Sequence, residues 1–217
     1  MANDVIEFNR ETIEEYRSLL SNIMPILRGG DNLWHRTSVA NLQSILTEGI
    51  RPNDGSLNHT YGVSKNSLGT KLGGVCLFDF DTFSLDEVLY SAMNWYQFLT
   101  DQGSATVWIR LRKDILIRED LILPGEINYE SMETKSDVFG SYIPMFIPYV
   151  EGWYKSNVPT QSFLDFLIIK KSSDHTHQIV KYDAETIEKI ENLKKIWDED
   201  IQKAPKSSLA RILLGEE

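Results

Sequence analysis

Cysteine is nearly absent from this chain of 217 residues: Cys76 stands alone. One thiol can form neither an internal disulfide nor a cysteine-based zinc site, so disulfide-stapled and zinc-ribbon classes are excluded. Cys76 lies in the apolar run "GGVCLFDF", where a buried, unreactive thiol is the ordinary reading and a nucleophile the alternative. Histidine is scarce too. Of the four, only His175 and His177, in "DHTH", are close in sequence. A solvated loop accounts for that pair, with a metal contact as the alternative. Long hydrophobic runs are also missing. Nothing approaches the roughly 20 apolar residues of a membrane-spanning helix, and the opening "MANDVIEFNRETIEEYRS" is acidic and polar, unlike a secretory leader. These absences lead to the expectation of a cytoplasmic protein with no membrane contact and no metal.

Several catalytic signatures are missing as well. No glycine fingerprint follows the first expected strand, and there is no Walker loop, GxSxG elbow, HExxH pair or kinase signature. Positive charge is in short supply, with 22 Lys and Arg against 32 Asp and Glu and a formal net charge of −10. Unspecific binding to nucleic acid needs clustered cations. Here they gather only in "RLRKDILIR" and at Lys170–Lys171. Such patches permit a specific nucleic-acid substrate without demanding one, and an acidic surface suits a protein partner equally. Alternation puts Arg110 and Arg112 on one face, where a solvated sheet edge would explain them as well.

What is present is an ordinary globular composition, 41% hydrophobic and 25% charged. One compact domain is expected, drawn as an N-terminal helix over 1–30, a core over 31–182 and an acidic helical segment over 183–217. Residues 10–28 carry Ile13, Tyr16, Leu19, Leu20 and Ile23 at helical spacing, and Gly29–Gly30 ends the run. "LWHRT" reads as a strand. Ser38 then offers an N-cap to a helix bearing Val39, Leu42, Ile45 and Leu46, which Gly49 stops. About two dozen polar residues follow, holding Tyr61 and Ser64; a connection that long is usually functional or disordered. "VCLFDF" is a second strand. Ser84 and Glu87 form a capping box for a helix whose Tyr90, Trp95 and Phe98 are expected to face inward. "TVWIRLR", "LILPGEINY", "YIPMFIPYVEGWY" and "FLDFLIIKK" are extended. The order argues for an α+β fold with a split, mixed sheet and flanking helices.

Within that frame the chemistry-bearing residues are few. On the first strand His35 and Thr37 share one face while Trp34 and Arg36 share the other. An imidazole and a hydroxyl are thus presented together; the plain alternative is a hydrogen-bonded core histidine. Arg36 is expected to be structural. Glu151 follows an apolar stretch and stands among Tyr149, Trp153 and Tyr154, where an exposed strand-end acid is the alternative to a catalytic carboxylate.

"LWHRTSVANLQSILTEGI" resembles the opening motif of ADP-ribosyltransferase-fold proteins, in which a strand bearing H-x-T leads into N-L-x-x-I-L-x-x-G. It is most similar to DarT-type toxins, which modify DNA bases; RNA 2′-phosphotransferases share the opening. The resemblance covers about twenty residues, with a looser ordering of elements through Lys171. It implies NAD as substrate, His35 gripping the ribose and a late glutamate, matched by Glu151 ahead of Val158–Pro159, completing catalysis. Cleaving the nicotinamide–ribose bond builds an oxocarbenium-like centre that a carboxylate stabilises. A ribose diol needs fixed donors and acceptors, which His35 and Thr37, with Ser64 in the polar loop, could supply. Tyr61 and Phe78 are the candidates for an aromatic wall, with packing on the sheet as the alternative for Tyr61. Arg51 is the nearest cation for the pyrophosphate, with a solvated residue or a carboxylate partner as the alternative. The expected activity is mono-ADP-ribosylation of a macromolecule, with nucleic acid favoured over protein. The setting implied is toxin action or phage defence, with an antitoxin or regulatory protein as a further possible partner. An NAD-dependent 2′-phosphotransferase and a catalytically silent binding module are the alternatives. Should Glu151 not be the carboxylate, Glu126, Glu130 and Glu133 stand next.

Overall fold

The computed structural model describes residues 10–52, 73–94, 105–127, 147–171 and 177–183. Tyr61, Ser64, Trp95, Phe98, Glu130, Glu133 and His175, together with 184–217, lie outside them. Among the described residues are helices α1 (Arg10–Leu27), α2 (Leu42–Glu48) and α3 (Leu85–Asn94). The strands are β1 (Asn32–Ser38), β2 (Val75–Phe78), β3 (Ala105–Arg112), β4 (Leu121–Ile122), β5 (Glu151–Tyr154), β6 (Phe163–Lys171) and β7 (His177–Asp183).

The strands form one sheet in the order β4-β5-β2-β1-β3-β6-β7. The α+β class is as expected, but the mixture of strand directions is not. Every described pairing is antiparallel, including β2–β5 and β1–β3, whose members are far apart in the chain. The joints differ greatly in extent. β1 pairs with β3 along its length, from Asn32↔Arg112 to Ser38↔Thr106, yet registers with β2 only at Trp34↔Phe78. A seam therefore runs between β4-β5-β2 and β1-β3-β6-β7.

Alternation along the strands sends side chains to two cores. On one face Leu33, Leu77, Val107, Ile109, Tyr154 and Phe166 pack with Leu42 and Ile45 of α2. On the other, Trp34, Phe78, Trp108 and Leu167 pack with Leu19, Leu20, Ile23, Met24 and Leu27 of α1 and with Val88 and Ala92 of α3. The N-terminal helix thus belongs to the core, not to an appendage. Its last turn is fixed by the Trp34 indole donating to Leu27 O (2.9 Å).

Local signals account for the helix ends. Ser84 and Glu87 exchange hydrogen bonds as a capping box ahead of α3. Tyr90, however, is 66% exposed. Val88, Ser91 and Ala92 supply the buried face at spacings of three and four, and Tyr90 lies off that stripe. Ser38 opens a short 3-10 turn (Val39–Asn41) without a side-chain cap bond, and α2 begins after it. Gly49 ends α2 at φ 80°, and a Cβ there would lie 2.3 Å from Val158 O. No other residue fits where Ile50 bridges to Val158.

Truncation of α1 tests its place in the core. Ile23→Ala removes a fully buried side chain and should cost about 2–5 kcal/mol, read as a shift in the urea midpoint. A helix merely appended to the domain would show almost no shift.

Candidate active site

Glu151 opens β5 and is 5% exposed. It does not follow a strand, as the apolar stretch implied. A turn over residues 147–150 precedes it, with Tyr149 at φ 65°, an uncommon backbone state for a bulky residue. Glu151 closes this turn twice: its N–H donates to Ile147 O (3.0 Å), and its Oε2 accepts from Ile147 N (2.6 Å). The Ser91 hydroxyl of α3 donates to Pro148 O. Gly152 beside it lets β5 approach β4, because a Cβ would lie 2.4 Å from Ile122 O.

The other carboxyl oxygen is held from the neighbouring strand. Cys76 Sγ donates to Glu151 Oε1 at 3.1 Å. The register makes this contact: Phe78 faces Glu151 and Cys76 faces Trp153, so all four side chains share one side of the sheet. Burial raises the Glu151 carboxyl to about 7, against the opposing hydrogen bonds from Cys76, Ile147 and Trp153. The thiol moves the same way. Burial and then the adjacent Glu151 carboxyl push Cys76 well above its ordinary range, so it is a hydrogen-bond donor rather than a nucleophile.

His35 reaches the same residue from β1. Its Nδ1 lies 2.9 Å from Cys76 O. A carbonyl cannot donate, so Nδ1 carries the hydrogen and Nε2 presents its lone pair. Burial lowers the imidazole to about 4, and the ring is neutral near pH 7. His35 thereby bonds across the seam next to the single registered β1–β2 pair. Cys76 touches both candidates, through its carbonyl and through its thiol.

The remaining expectations divide. His35 and Thr37 project to the α2 face, whereas Phe78 and Glu151 project to the α1 and α3 face, so the sheet separates the pair expected at the ribose from the expected aromatic wall and catalytic carboxylate. The cause is the register of β2 against both β1 and β5. Thr37 Oγ1 accepts from Asn41 Nδ2 (3.2 Å). Phe78 is a core residue, 6% exposed, set edge-on to Trp108 at 5.2 Å, and offers no open aromatic wall. Arg51 is exposed and ion-paired with Glu48. Arg36, expected to be only structural, shares the face of Cys76, and its charge acts on both His35 and the thiol.

Nor is the basic stretch a sheet edge. β3 is interior, Arg110 is bonded to the buried Asp165, and its guanidinium lies 6.0 Å from the Trp34 ring. Arg112 pairs with Asp114 (2.9 Å), and Arg118 with Glu126. Glu126 also accepts from Leu123 N (2.9 Å), which makes that reserve carboxylate a turn cap. The sequence could not nominate Cys76, Ile147 N–H or Asp165 as partners. Each depends on cross-strand register, which no local pattern reports. Among the described residues, no group of three or more His, Cys, Asp or Glu could hold a metal ion. None of the described helices is long and apolar enough to cross a membrane. Compared with known family models and with curated proteins, the chain matches none.

Glu151 and His35 make opposite contributions to stability against pH. The raised carboxyl keeps its proton in the fold, so its contribution is full below about 4.5 and is lost as pH rises through about 7. The depressed imidazole contributes fully above about 6.5 and loses that as pH falls through about 4. Glu151→Gln removes only the first. The variant should gain stability relative to the parent as pH rises from 4.5 to 8, by on the order of 3 kcal/mol. Urea unfolding of both proteins at the two pH values measures it; a constant difference would mean an ordinary carboxyl.

Proposed function

We propose that the protein is an NAD-consuming mono-ADP-ribosyltransferase with Glu151 as its catalytic carboxylate and His35 as its ribose-gripping residue. The observation that carries this reading is the Cys76 junction. There a buried carboxyl, poised near pH 7, and a neutral imidazole with a bare Nε2 meet one residue at the β1–β2 seam. An ADP-ribosyltransferase-like split of the sheet at that seam belongs to the same proposal.

The chemistry needs both groups. His35 Nε2 accepts a hydrogen bond from a hydroxyl of the nicotinamide-side ribose, with Nδ1, bound to Cys76 O, fixing the tautomer. Because His35 and Glu151 project to opposite faces of the sheet, one NAD meets both only where the thinly paired β1–β2 seam parts. Ionised Glu151 opposes the positive charge that develops as the C1′–nitrogen bond breaks, and nicotinamide departs with the bonding electrons. An acceptor atom then bonds to C1′ and gives its proton to Glu151. A general base works best when its ordinary proton affinity is shifted toward the working pH, and burial does that here.

The acceptor is read as nucleic acid, on the likeness of the opening motif to DNA-modifying toxins, in a toxin or defence setting with an antitoxin or other regulator. A 2′-phosphotransferase is disfavoured. It requires arginines free to hold an RNA phosphate, yet Arg51, Arg110, Arg112 and Arg118 are each bonded to a carboxylate of the chain itself.

Incubation of labelled NAD with cell extract should release nicotinamide and leave label on material sensitive to nuclease and resistant to protease. Protease-sensitive label would move the acceptor to protein, free ADP-ribose would mean a glycohydrolase, and absence of turnover would remove the enzyme reading. In the same assay Glu151→Gln should lower kcat about 10²–10⁴-fold while NAD binding, followed by titration calorimetry, persists. Parent turnover should fall as pH drops below about 7, because protonation neutralises the carboxylate. A flat profile from pH 5 to 8 would contradict that role.

A further inference from the structure

We propose that Cys76 is the positioning residue of this site, holding the Glu151 carboxyl with its thiol and the His35 ring with its carbonyl. The thiol acts on Glu151 whatever the reaction; its consequence for turnover rests on the ADP-ribosyltransferase reading.

Three observations converge. First, Glu151 is held at both oxygens by donors of different origin: Ile147 N on its own strand's lead-in turn (2.6 Å) and Cys76 Sγ from β2 (3.1 Å). The backbone donor moves with the turn, whereas the thiol belongs to a separate strand. The ladder sets the Glu151 backbone against Phe78 of β2, and the thiol adds a side-chain donor from β2 to the carboxyl itself. Second, β2 is joined to β1 by a single registered pair, so the placement of Glu151 relative to His35 depends on what else crosses the seam. The His35–Cys76 O bond does so at 2.9 Å. Third, the sheet positions the thiol from both sides, with Cys76 opposite Trp153 on β5 and its side chain packed on the α1–α3 core. A short side chain with a weak donor fits there. It restrains the carboxyl without supplying a strong charge that would keep it permanently ionised.

A donor to a carboxylate favours ionisation, so its removal should raise the Glu151 midpoint and a stronger donor should lower it. The test compares Cys76→Ala and Cys76→Ser with the parent. Each full-length chain carries 13C-labelled glutamate, and the buried carboxyl resonance, assigned by its loss in Glu151→Gln, is titrated by NMR. The Ala variant should titrate about half to one pH unit higher than the parent. The Ser variant, whose hydroxyl is the better donor, should titrate at or below the parent value. The acidic limb of the NAD turnover profile should move by the same amounts in the same directions.

A role confined to packing would change melting temperature in both variants and leave both midpoints at the parent value; that result overturns the proposal. Carboxyl midpoints that move without detectable turnover in any variant support the positioning role and remove the transferase reading. Turnover whose pH limb stays fixed while the carboxyl midpoint moves overturns the link to catalysis. If the Ala variant does not fold, the Ser variant decides: a midpoint above the parent value contradicts the proposal.

Discussion

A carboxyl group withdrawn from water must either keep its proton or be surrounded by donors, and Glu151 meets both conditions in part. Removing an ionised carboxylate from solvent costs several kcal/mol unless hydrogen bonds compensate. The chain supplies the Ile147 amide and the Cys76 thiol, with a further hydrogen bond from the Trp153 side chain. None of these carries formal charge, and the carboxyl settles near pH 7 instead of being locked in one state. Much local geometry depends on this. The turn before β5 is fastened by the carboxyl it delivers, Tyr149 is held at a positive φ within it, and Gly152 lets the strand sit against β4.

The sheet brings these groups together because its two halves are firmly paired inside and thinly paired between. β5 and β2 register over four positions and β1 and β3 over seven, whereas β1 and β2 register at one. Apolar packing compensates at the joint: Trp34 and Phe78 stand together, and Phe78 packs on Trp108. α1 covers this side and α2 the other. Burial on both faces lets a weak ladder persist without a full row of hydrogen bonds.

The parts of this arrangement that are written in local pattern were legible in the sequence. Helical spacing marked α1, the Ser84–Glu87 pair marked the start of α3, and Gly49 marked the end of α2. Strand alternation correctly placed His35 with Thr37 and apart from Arg36. What failed required knowledge of register. Phe78 looked available for a ligand until Trp34 and Trp108 were seen beside it. Arg110 looked like a surface cation until β6 brought Asp165 opposite. Tyr90 was misassigned because aromatic character outweighed helical phase. Glu151 was singled out by its aromatic neighbours. Its burial and its thiol partner came from β2, more than seventy residues earlier in the chain.

The uneven pairing also bears on how the molecule assembles. Among the described strands, β4–β5, β1–β2 and β6–β7 are neighbours both in the sheet and in sequence, and β6–β7 has by far the shortest connection, residues 172–176. Every other ladder closes around an intervening element, so its ordering entropy is spent before most of its contacts form. β7, β6 and β3 can zip in succession and recruit β1 along its full edge. β2 and β5 complete a second unit, and the lone Trp34–Phe78 register joins the two. Amides facing that joint sit beside the thinnest ladder in the sheet, where local opening is cheapest. His35 and Cys76 therefore lie on the boundary between two cooperative units and Glu151 one strand inside it, where a small movement of either unit changes the separation of His35 from Glu151 while both interiors stay intact.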